Sequence, residues 1–364
     1  MLNRRLFLKQ GLCLSGLLAS KNLMANHYSN TGWFMPDETD THLRTWMAFG
    51  ANKNIWGKKL LPVVQKNLAD IANTISKYEP VNMLVGDSDY AIANKLCNDT
   101  VNLMPCGLDD LWIRDTGPVF VINDNGEKAG INFNFNDWGE KQDYELDSKV
   151  ANFVTKQAGV NSHNTDIVLE GGGIEVDGHG TAIITESCVI NENRNPSWNK
   201  AECEDEIKYQ LGLEKIIWLP GVAGEDITDG HTDFYARFIK PGVVVAHYEP
   251  DPYFSDHKLT KEHLRLLRKA TDANGNKLEV ISIEPPAQVR PEYENNEFTA
   301  GYINFYVCNN AVILPEFGDR KADNKAKEIL ARLFTGRTIE QLNIDGIAAG
   351  GGGIHCATQQ EPLV

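Results

Sequence analysis

Short apolar runs alternate with amphipathic segments along almost the whole chain, and this alternation constrains the fold more than any other feature. The run at 45–49 leads into a helical pattern near 58–78, and the run at 81–85 follows it. The helical pattern places five apolar side chains on one face: Leu61, Val64, Leu68, Ile71 and Ile75. Strands separated by helices are typical of an α/β fold, because the helix returns the chain to the start of a neighbouring strand.

The same cycle recurs further along the chain. A strand is predicted at 119–122, a glycine-broken hairpin at 173–184, and four more helices near 147–158, 200–211, 258–273 and 322–334. The cycles share a pattern but not residues, so the residues alone predict an α/β fold of repeated units. Because no low-complexity linker divides the chain, we predict a single domain over residues 30–364.

Four consecutive glycines at 350–353 lie just before Cys356. Glycine has no Cβ, so such a run can turn tightly or approach a ligand closely. A cysteine thiolate is a strong nucleophile once a positive neighbour or a base has formed it. A buried structural cysteine is the ordinary alternative. The glycine-rich setting favours the interpretation of Cys356 as a nucleophile.

A histidine and several carboxylates lie upstream, each beside glycine. His231 and Asp233 are two residues apart, so on a strand they would project from the same face, and an acidic loop with Glu225 and Asp226 precedes them. His231 could act as general acid and base. Each of these residues also has an ordinary interpretation as a surface pair or a solvated charge.

Two further motifs add an aromatic side chain and more carboxylates. Trp112 and Asp115 lie just before a Gly-Pro break, and Glu170 ends an apolar run before three glycines. Carboxylates around a cysteine disfavour its thiolate unless the substrate is a cation. A guanidinium group is planar, permanently charged and matched to carboxylates, so the combination indicates attack on a guanidino carbon. A protease or acyltransferase would need only the cysteine and histidine.

Five stretches, in this order, resemble the agmatine deiminase and bacterial-type (Porphyromonas-type) peptidylarginine deiminase family of the guanidino-modifying pentein superfamily. They are 112–118, 169–172, 191–196, 226–233 and 351–360. The resemblance implies a five-bladed α/β propeller of ββαβ units with pseudo-fivefold symmetry. It also implies that Cys356 is the nucleophile, that His231 is the acid–base, and that Asp115 and Asp233 hold the guanidinium.

The resemblance further implies that Trp112 and Glu170 line a substrate pocket. The implied enzyme is a hydrolase of linear amidines that converts agmatine and water to N-carbamoylputrescine and ammonia through a covalent cysteine thiouronium intermediate. It needs no metal and no organic cofactor. Glu225 and Asp226 would then neutralise the amine of agmatine. Agmatine deiminases usually carry Asn where this chain has Gly353.

Three alternatives stay open. The first is a deiminase of peptidyl or free arginine, which forms citrulline. The second is an amidinotransferase, which shares the thiouronium intermediate but passes the amidino group to an amine. The third is a non-catalytic guanidine-binding protein, against which the presence of Cys356 and His231 argues. A homo-oligomer is compatible with the sequence.

The N-terminus predicts an export signal. Arg4 and Arg5 precede a short apolar stretch at 11–19, and a small residue for cleavage follows near Ala25. This pattern is typical of a twin-arginine signal peptide at residues 1–25 and of a periplasmic or secreted protein. Its removal takes away four basic residues and changes the net charge from −15 to −19. Such a surface disfavours nucleic acids and anionic membranes and attracts small cations.

The cysteines and histidines predict no metal site and few disulfides. Six cysteines follow the signal, at positions 97, 106, 188, 203, 308 and 356. With Cys356 as nucleophile, five are left, and we expect most of them to be reduced and packed, with Cys97 and Cys106 as one candidate pair. The histidines show no zinc-type spacing with cysteine.

Overall fold

The computed structural model describes residues 32–364, so the predicted signal peptide at residues 1–25 lies outside the described residues. The described chain forms a mixed α/β fold with five separate sheets of three or four strands. Each sheet contains an antiparallel strand pair, followed by a helix and then by a strand parallel to the second one. These are the repeated ββαβ units.

The strands group by sheet in chain order, except that the first and the last strand each join strands distant in the sequence. The first sheet has the order β1-β5-β6-β7 (Trp33–Phe34, Val119–Asn123, Lys128–Asn132, Asn161–Asn164). The second is β10-β9-β8 (Lys215–Leu219, Thr181–Thr185, Glu175–Val176), and the third is β11-β12-β13 (Ala236–Lys240, Val243–His247, Glu279–Ile283). The fourth is β14-β15-β16 (Tyr306–Cys308, Ala311–Glu316, Thr338–Asn343). The fifth is β17-β2-β3-β4 (Gln359–Pro362, His42–Phe49, Val81–Val85, Val101–Pro105).

Six of the helices connect strands within sheets: α1 (Lys53–Ile75), α2 (Tyr90–Leu96), α5 (Val150–Ala158), α6 (Lys200–Leu211), α7 (Asp256–Lys269) and α8 (Arg320–Leu333). The others are α3 (Ile113–Thr116), α4 (Asp137–Glu140) and α9 (Asp345–Ala348). Single 3₁₀ turns occur at Asp147–Lys149, Gly171–Gly173 and Thr232–Phe234. No helix within residues 32–364 is long and apolar enough to span a bilayer.

The two ends of the described chain meet in the last sheet. Strand β17 pairs antiparallel with β2, with Gln359 opposite Trp46 and Gln360 opposite Thr45. The indole nitrogen of Trp46 also donates to Glu361 Oε2 at 2.8 Å. The segment that carries Cys356 is therefore tied to the first long strand of the domain.

The helix predicted at 58–78 is confirmed, but it begins earlier, at Lys53, after an Asn52 cap whose side chain accepts from the Asn54 amide. Four of the five predicted core positions are buried, and Leu61 packs at the edge of the core. The prediction that His231 and Asp233 lie on a strand is wrong. His231 caps a 3₁₀ turn that contains Asp233, and β11 begins only at Ala236.

Candidate active site

The segment that precedes each ββαβ unit contributes one side chain to a common buried cluster. Asp115 precedes β5, Glu170 precedes β8, Asp233 precedes β11, Asn304 precedes β14 and Cys356 precedes β17. All five side chains are buried. The cluster is therefore built by the same structural position in five successive units.

The thiol of Cys356 lies between an amide and a carboxylate. Its Sγ is 3.3 Å from Asn304 Nδ2 and 3.5 Å from Asp233 Oδ2. Burial, with the charges of Asp233 and Asp115, raises the pKa of Cys356 well above its ordinary value, although the Asn304 bond opposes this. A neutral thiol is thus the resting form, and a bound cation would favour the thiolate.

His231 is enclosed by carboxylates. Its Nε2 is 3.2 Å from Glu170 Oε2, and its Nδ1 is 3.7 Å from Asp115 Oδ2 and makes no hydrogen bond within the described chain. Burial by itself favours the neutral imidazole, but Asp115, Glu170 and Asp233 raise the pKa of His231 to about 9. The ring can therefore donate a proton at neutral pH.

Asp233 has one oxygen engaged and one free. Its Oδ2 contacts His355 Nδ1 at 2.8 Å, whereas its buried Oδ1 has no partner within residues 32–364. His355 Nε2 in turn lies 2.9 Å from Glu38 Oε2. Burial works against ionisation, yet the bond to His355 and the charge of His231 keep the pKa of Asp233 below its ordinary value. The free oxygen is a charged acceptor in need of a donor.

Asp115 lies on α3, next to the 3₁₀ turn Gly171–Gly173. Its Oδ1 accepts from the Gly172 amide at 2.9 Å and its Oδ2 from Trp138 Nε1 at 3.1 Å. A Cβ at Gly172 would lie 2.5 Å from His231 Nδ1, so only glycine fits this approach. Burial raises the pKa of Asp115 to about 6, with the charge of His231 opposing it.

Glu170 lies behind His231. Its Oε1 accepts from Arg194 Nε at 2.7 Å and its Oε2 faces the imidazole, and neither Glu170 nor the Arg194 side chain reaches solvent. Burial opposes ionisation, but the bond to His231 and the charge of Arg194 lower the pKa of Glu170. The side chain expected to line a substrate pocket is thus already paired on both oxygens.

Trp112 forms an aromatic wall beside the glycine run. Its Nε1 donates to Asp110 Oδ2 at 2.9 Å, and the Trp56 ring lies 5.9 Å away. A Cβ on Gly352 would overlap the Trp112 ring. This contact gives the run a packing role, since glycine lets the chain before Cys356 lie flat against the indole.

The two loop carboxylates predicted for substrate binding do not reach the buried cluster. Glu225 and Asp226 are both exposed. Asp226 Oδ1 accepts from the Thr228 amide and hydroxyl, each at 2.6 Å, and the Thr228 hydroxyl accepts from the His231 amide at 3.0 Å. Asp226 thus shapes the loop before His231.

Asn304 was missed by the sequence analysis. Its Oδ1 accepts from the amide of His355 at 2.9 Å and from that of Cys356 at 3.3 Å. A Cβ on Gly353 would overlap this Asn304 side chain, which gives the departure at position 353 a steric reason. Asn304 lies 52 residues before Cys356 outside any recognisable motif, so no sequence signal pointed to it.

The other cysteines within residues 32–364 are free thiols. Cys188, Cys203 and Cys308 are buried and form no disulfide, as expected. Cys97 and Cys106, the candidate pair, are half-buried and are also free, so that candidate disulfide is wrong. Among residues 32–364, no three His, Cys, Asp or Glu side chains are grouped so that they could hold a metal ion.

Known proteins resemble the chain over almost its whole length. The family described as Porphyromonas-type peptidyl-arginine deiminase matches residues 34–362. A Streptomyces avermitilis protein, provisionally named agmatine deiminase, is 39% identical over 340 residues, which covers 91% of this chain and 97% of its own. The agmatine deiminase of Medicago truncatula is 34% identical over 375 residues, covering 93% and 100%. The structure of agmatine deiminase from Enterococcus faecalis superimposes with a TM-score of 0.86 at 32% identity, covering 92% and 96%.

Proposed function

We propose that the chain, which belongs to the Porphyromonas-type peptidyl-arginine deiminase family, hydrolyses agmatine to N-carbamoylputrescine and ammonia. The observation that carries this proposal is the Asp233 carboxylate, whose Oδ2 lies 3.5 Å from Cys356 Sγ and whose buried Oδ1 has no partner within residues 32–364. A buried charged oxygen without a donor is costly, and a guanidinium supplies both the donor and the countercharge. Agmatine is proposed as the substrate because relatives of the chain are named agmatine deiminase.

Asp115 and Asp233 hold the guanidinium and thereby bring its carbon to Cys356. The bound positive charge offsets the carboxylates that disfavour the thiolate, so the thiol proton leaves to solvent as the substrate binds. The thiolate then attacks the guanidino carbon and forms a C–S bond. His231 donates its proton to one terminal nitrogen, the C–N bond breaks, and ammonia leaves a thiouronium on Cys356.

The second half of the reaction uses the now neutral His231 as a base. It takes a proton from water while the oxygen bonds to the thiouronium carbon. The C–S bond breaks, Cys356 leaves as a thiolate, and the remaining hydroxyl proton passes to solvent, where ammonia takes it up. Once the product has left, Cys356 regains from solvent the proton that it lost when the substrate bound. The ureido product is neutral, so the two carboxylates lose their countercharge and binding weakens.

The arginines around the site favour agmatine over arginine. Free arginine carries a carboxylate that needs a cationic partner. Arg114 pairs with Glu38, Arg237 pairs with Glu38 and Glu175, and Arg194 pairs with Glu170. All three are committed to protein carboxylates. A substrate without a carboxylate matches this acidic surrounding.

The test is product formation from agmatine by the wild-type chain and by Cys356→Ser. Wild type should release ammonia and N-carbamoylputrescine in equal amounts, and Cys356→Ser should release neither while melting at the wild-type temperature. If kcat/KM is greater with a blocked arginine peptide than with agmatine, the substrate is peptidyl-arginine and not agmatine. If Cys356→Ser turns over agmatine at the wild-type rate, Cys356 is not the nucleophile.

We also propose that the five ββαβ units surround a pseudo-fivefold axis as the blades of a propeller. Two observations support this arrangement. Strand β17 from the C-terminus completes the unit that begins with β2 near the N-terminus, so the chain returns to its start. The cluster draws one residue from the same position of each unit, as a site on such an axis would.

Export through the twin-arginine pathway stays a proposal that rests on the sequence. Arg4 and Arg5 and the apolar stretch after them support it. Full-length protein should be found in the periplasm after cell fractionation, and replacement of both arginines by lysine should retain it inside the cell. Equal distribution of the two forms would contradict a twin-arginine signal.

A further inference from the structure

One turn of the chain is a left-handed helix. Asp137, Trp138, Gly139 and Glu140 have successive φ values of 55°, 50°, 100° and 59°. The Glu140 amide donates to the Asn136 carbonyl at 2.7 Å, the spacing of an α-helical bond in the opposite hand. Each non-glycine residue in this conformation costs about 1–2 kcal/mol. Backbone strain of this kind persists where surrounding contacts fix it, and such places cluster at functional sites.

The left-handed turn places a tryptophan against the candidate site. The buried Trp138 indole donates from Nε1 to Asp115 Oδ2 at 3.1 Å. Phe135 holds the ring edge to face, with centroids 5.2 Å apart. We propose that Trp138 is a positioning residue that acts on the substrate through Asp115, and that the left-handed turn is kept because it presents this indole. The proposal rests on the proposed function for the identity of the substrate.

The turn is fixed on one side by the Asn193–Arg194 segment. Asn136 Nδ2 donates to the Asn193 carbonyl at 3.0 Å, and a Cβ at Gly139 would lie 2.6 Å from Asn193 Cγ. Arg194, the next residue, holds Glu170. The turn is therefore packed against the element that supports the carboxylate behind the catalytic imidazole.

The turn is fixed on the other side by the loop before His231. Lys141 Nζ donates to the Ile227 carbonyl at 2.6 Å and to Asp229 Oδ2 at 2.9 Å. Asp229 is only two residues from His231. One short turn thus contacts Asp115 directly and also contacts the segments that carry or support Glu170 and His231.

The indole N–H matters because Asp115 lies in an unfavourable place for a carboxylate. The titratable groups that face it are His231, Asp233, Glu170 and the Cys356 thiol. Burial and the two carboxylates oppose its charged form, whereas His231 and the Gly172 amide favour it. The hydrogen bond donated by Trp138 also stabilises the charged form of Asp115. Without the indole N–H, Asp115 should hold its proton to higher pH and grip a cation less well.

The test compares Trp138→Phe with Trp218→Phe. Both changes keep an aromatic ring and remove an indole that donates to a carboxylate, but Trp218 donates to Glu204, outside the cluster. The pKa of Asp115 is measured by carboxyl-carbon NMR, and kcat/KM for agmatine is measured against pH. In Trp138→Phe the pKa of Asp115 should rise by about one unit, equivalent to about 1.4 kcal/mol. The acidic limb of kcat/KM should move by the same amount, and Trp218→Phe should move neither.

Equal pKa values for Asp115 in both variants and in wild type would overturn the positioning role, as would equal shifts in both variants. If wild type does not act on agmatine but Asp115 shifts in Trp138→Phe alone, the proposed substrate is contradicted and the positioning role is supported. Lys141→Met gives a second arm at a partly exposed position. It should lower kcat/KM about fivefold or more without a lower melting temperature, and an unchanged kcat/KM would contradict the wider role of the turn.

Discussion

Replacement of Asp233 by asparagine should change two rates in opposite directions. The change keeps the size of the side chain but removes the charge of the free Oδ1 and of the Oδ2 next to Cys356. Loss of one partner of a desolvated charge pair costs about 2–5 kcal/mol. At about 1.4 kcal/mol per tenfold, kcat/KM for agmatine should fall by about 30-fold to about 4,000-fold.

The same substitution should make the free thiol more reactive. After burial, the charge of Asp233 is the next cause that raises the pKa of Cys356, so its removal lowers that pKa. Alkylation of Cys356 by iodoacetamide, a neutral reagent, should therefore be faster than in wild type at pH 8. Glu225→Gln is the matched control, because this carboxylate is exposed, and it should change neither rate. A kcat/KM within threefold of wild type, or slower alkylation, would refute the reasoning.

Other predictions concern pH, the support of the imidazole and metals. A plot of kcat/KM against pH should be bell-shaped, falling below about pH 6 as Asp115 gains a proton and above about pH 9 as His231 loses one; a flat profile across this range would contradict both assignments. Arg194→Gln leaves Glu170 buried beside His231 without its other partner, so the free energy of unfolding should fall by about 3–5 kcal/mol, measured by denaturant titration, and a wild-type value would show that the pair contributes nothing. Chelation with EDTA should leave kcat unchanged, because the proposed steps use only Cys356, His231 and carboxylates. Loss of activity with EDTA that zinc restores would contradict these steps.

The sequence located the residues that local patterns mark. Cys356, His231, Asp115 and Glu170 each lie beside glycines, and the structure brings all of them into one buried cluster. Glycine marks such places because a backbone must approach closely there, as at Gly172 between Asp115 and His231. Apolar runs likewise predicted strands at 45–49, 81–85 and 119–122, the hairpin at 173–184 and the five longest helices, all of which the structure contains.

The sequence did not indicate residues whose roles arise from contacts between distant segments. Trp138 reaches Asp115 across 23 positions and Arg194 reaches Glu170 across 24, and neither separation follows a helical or strand period. Trp138 depends on a left-handed turn, which propensities disfavour for non-glycine residues. Glu225 is near the histidine in sequence, yet it is exposed to solvent and lies outside the buried cluster.

The central claim is tested most directly by ammonia release from agmatine, free arginine and a blocked arginine peptide, measured side by side with the purified chain. The proposed function predicts the highest kcat/KM with agmatine, with N-carbamoylputrescine formed in equal amount to ammonia. Higher kcat/KM with arginine or the peptide, or release of urea and putrescine in place of ammonia, would contradict it.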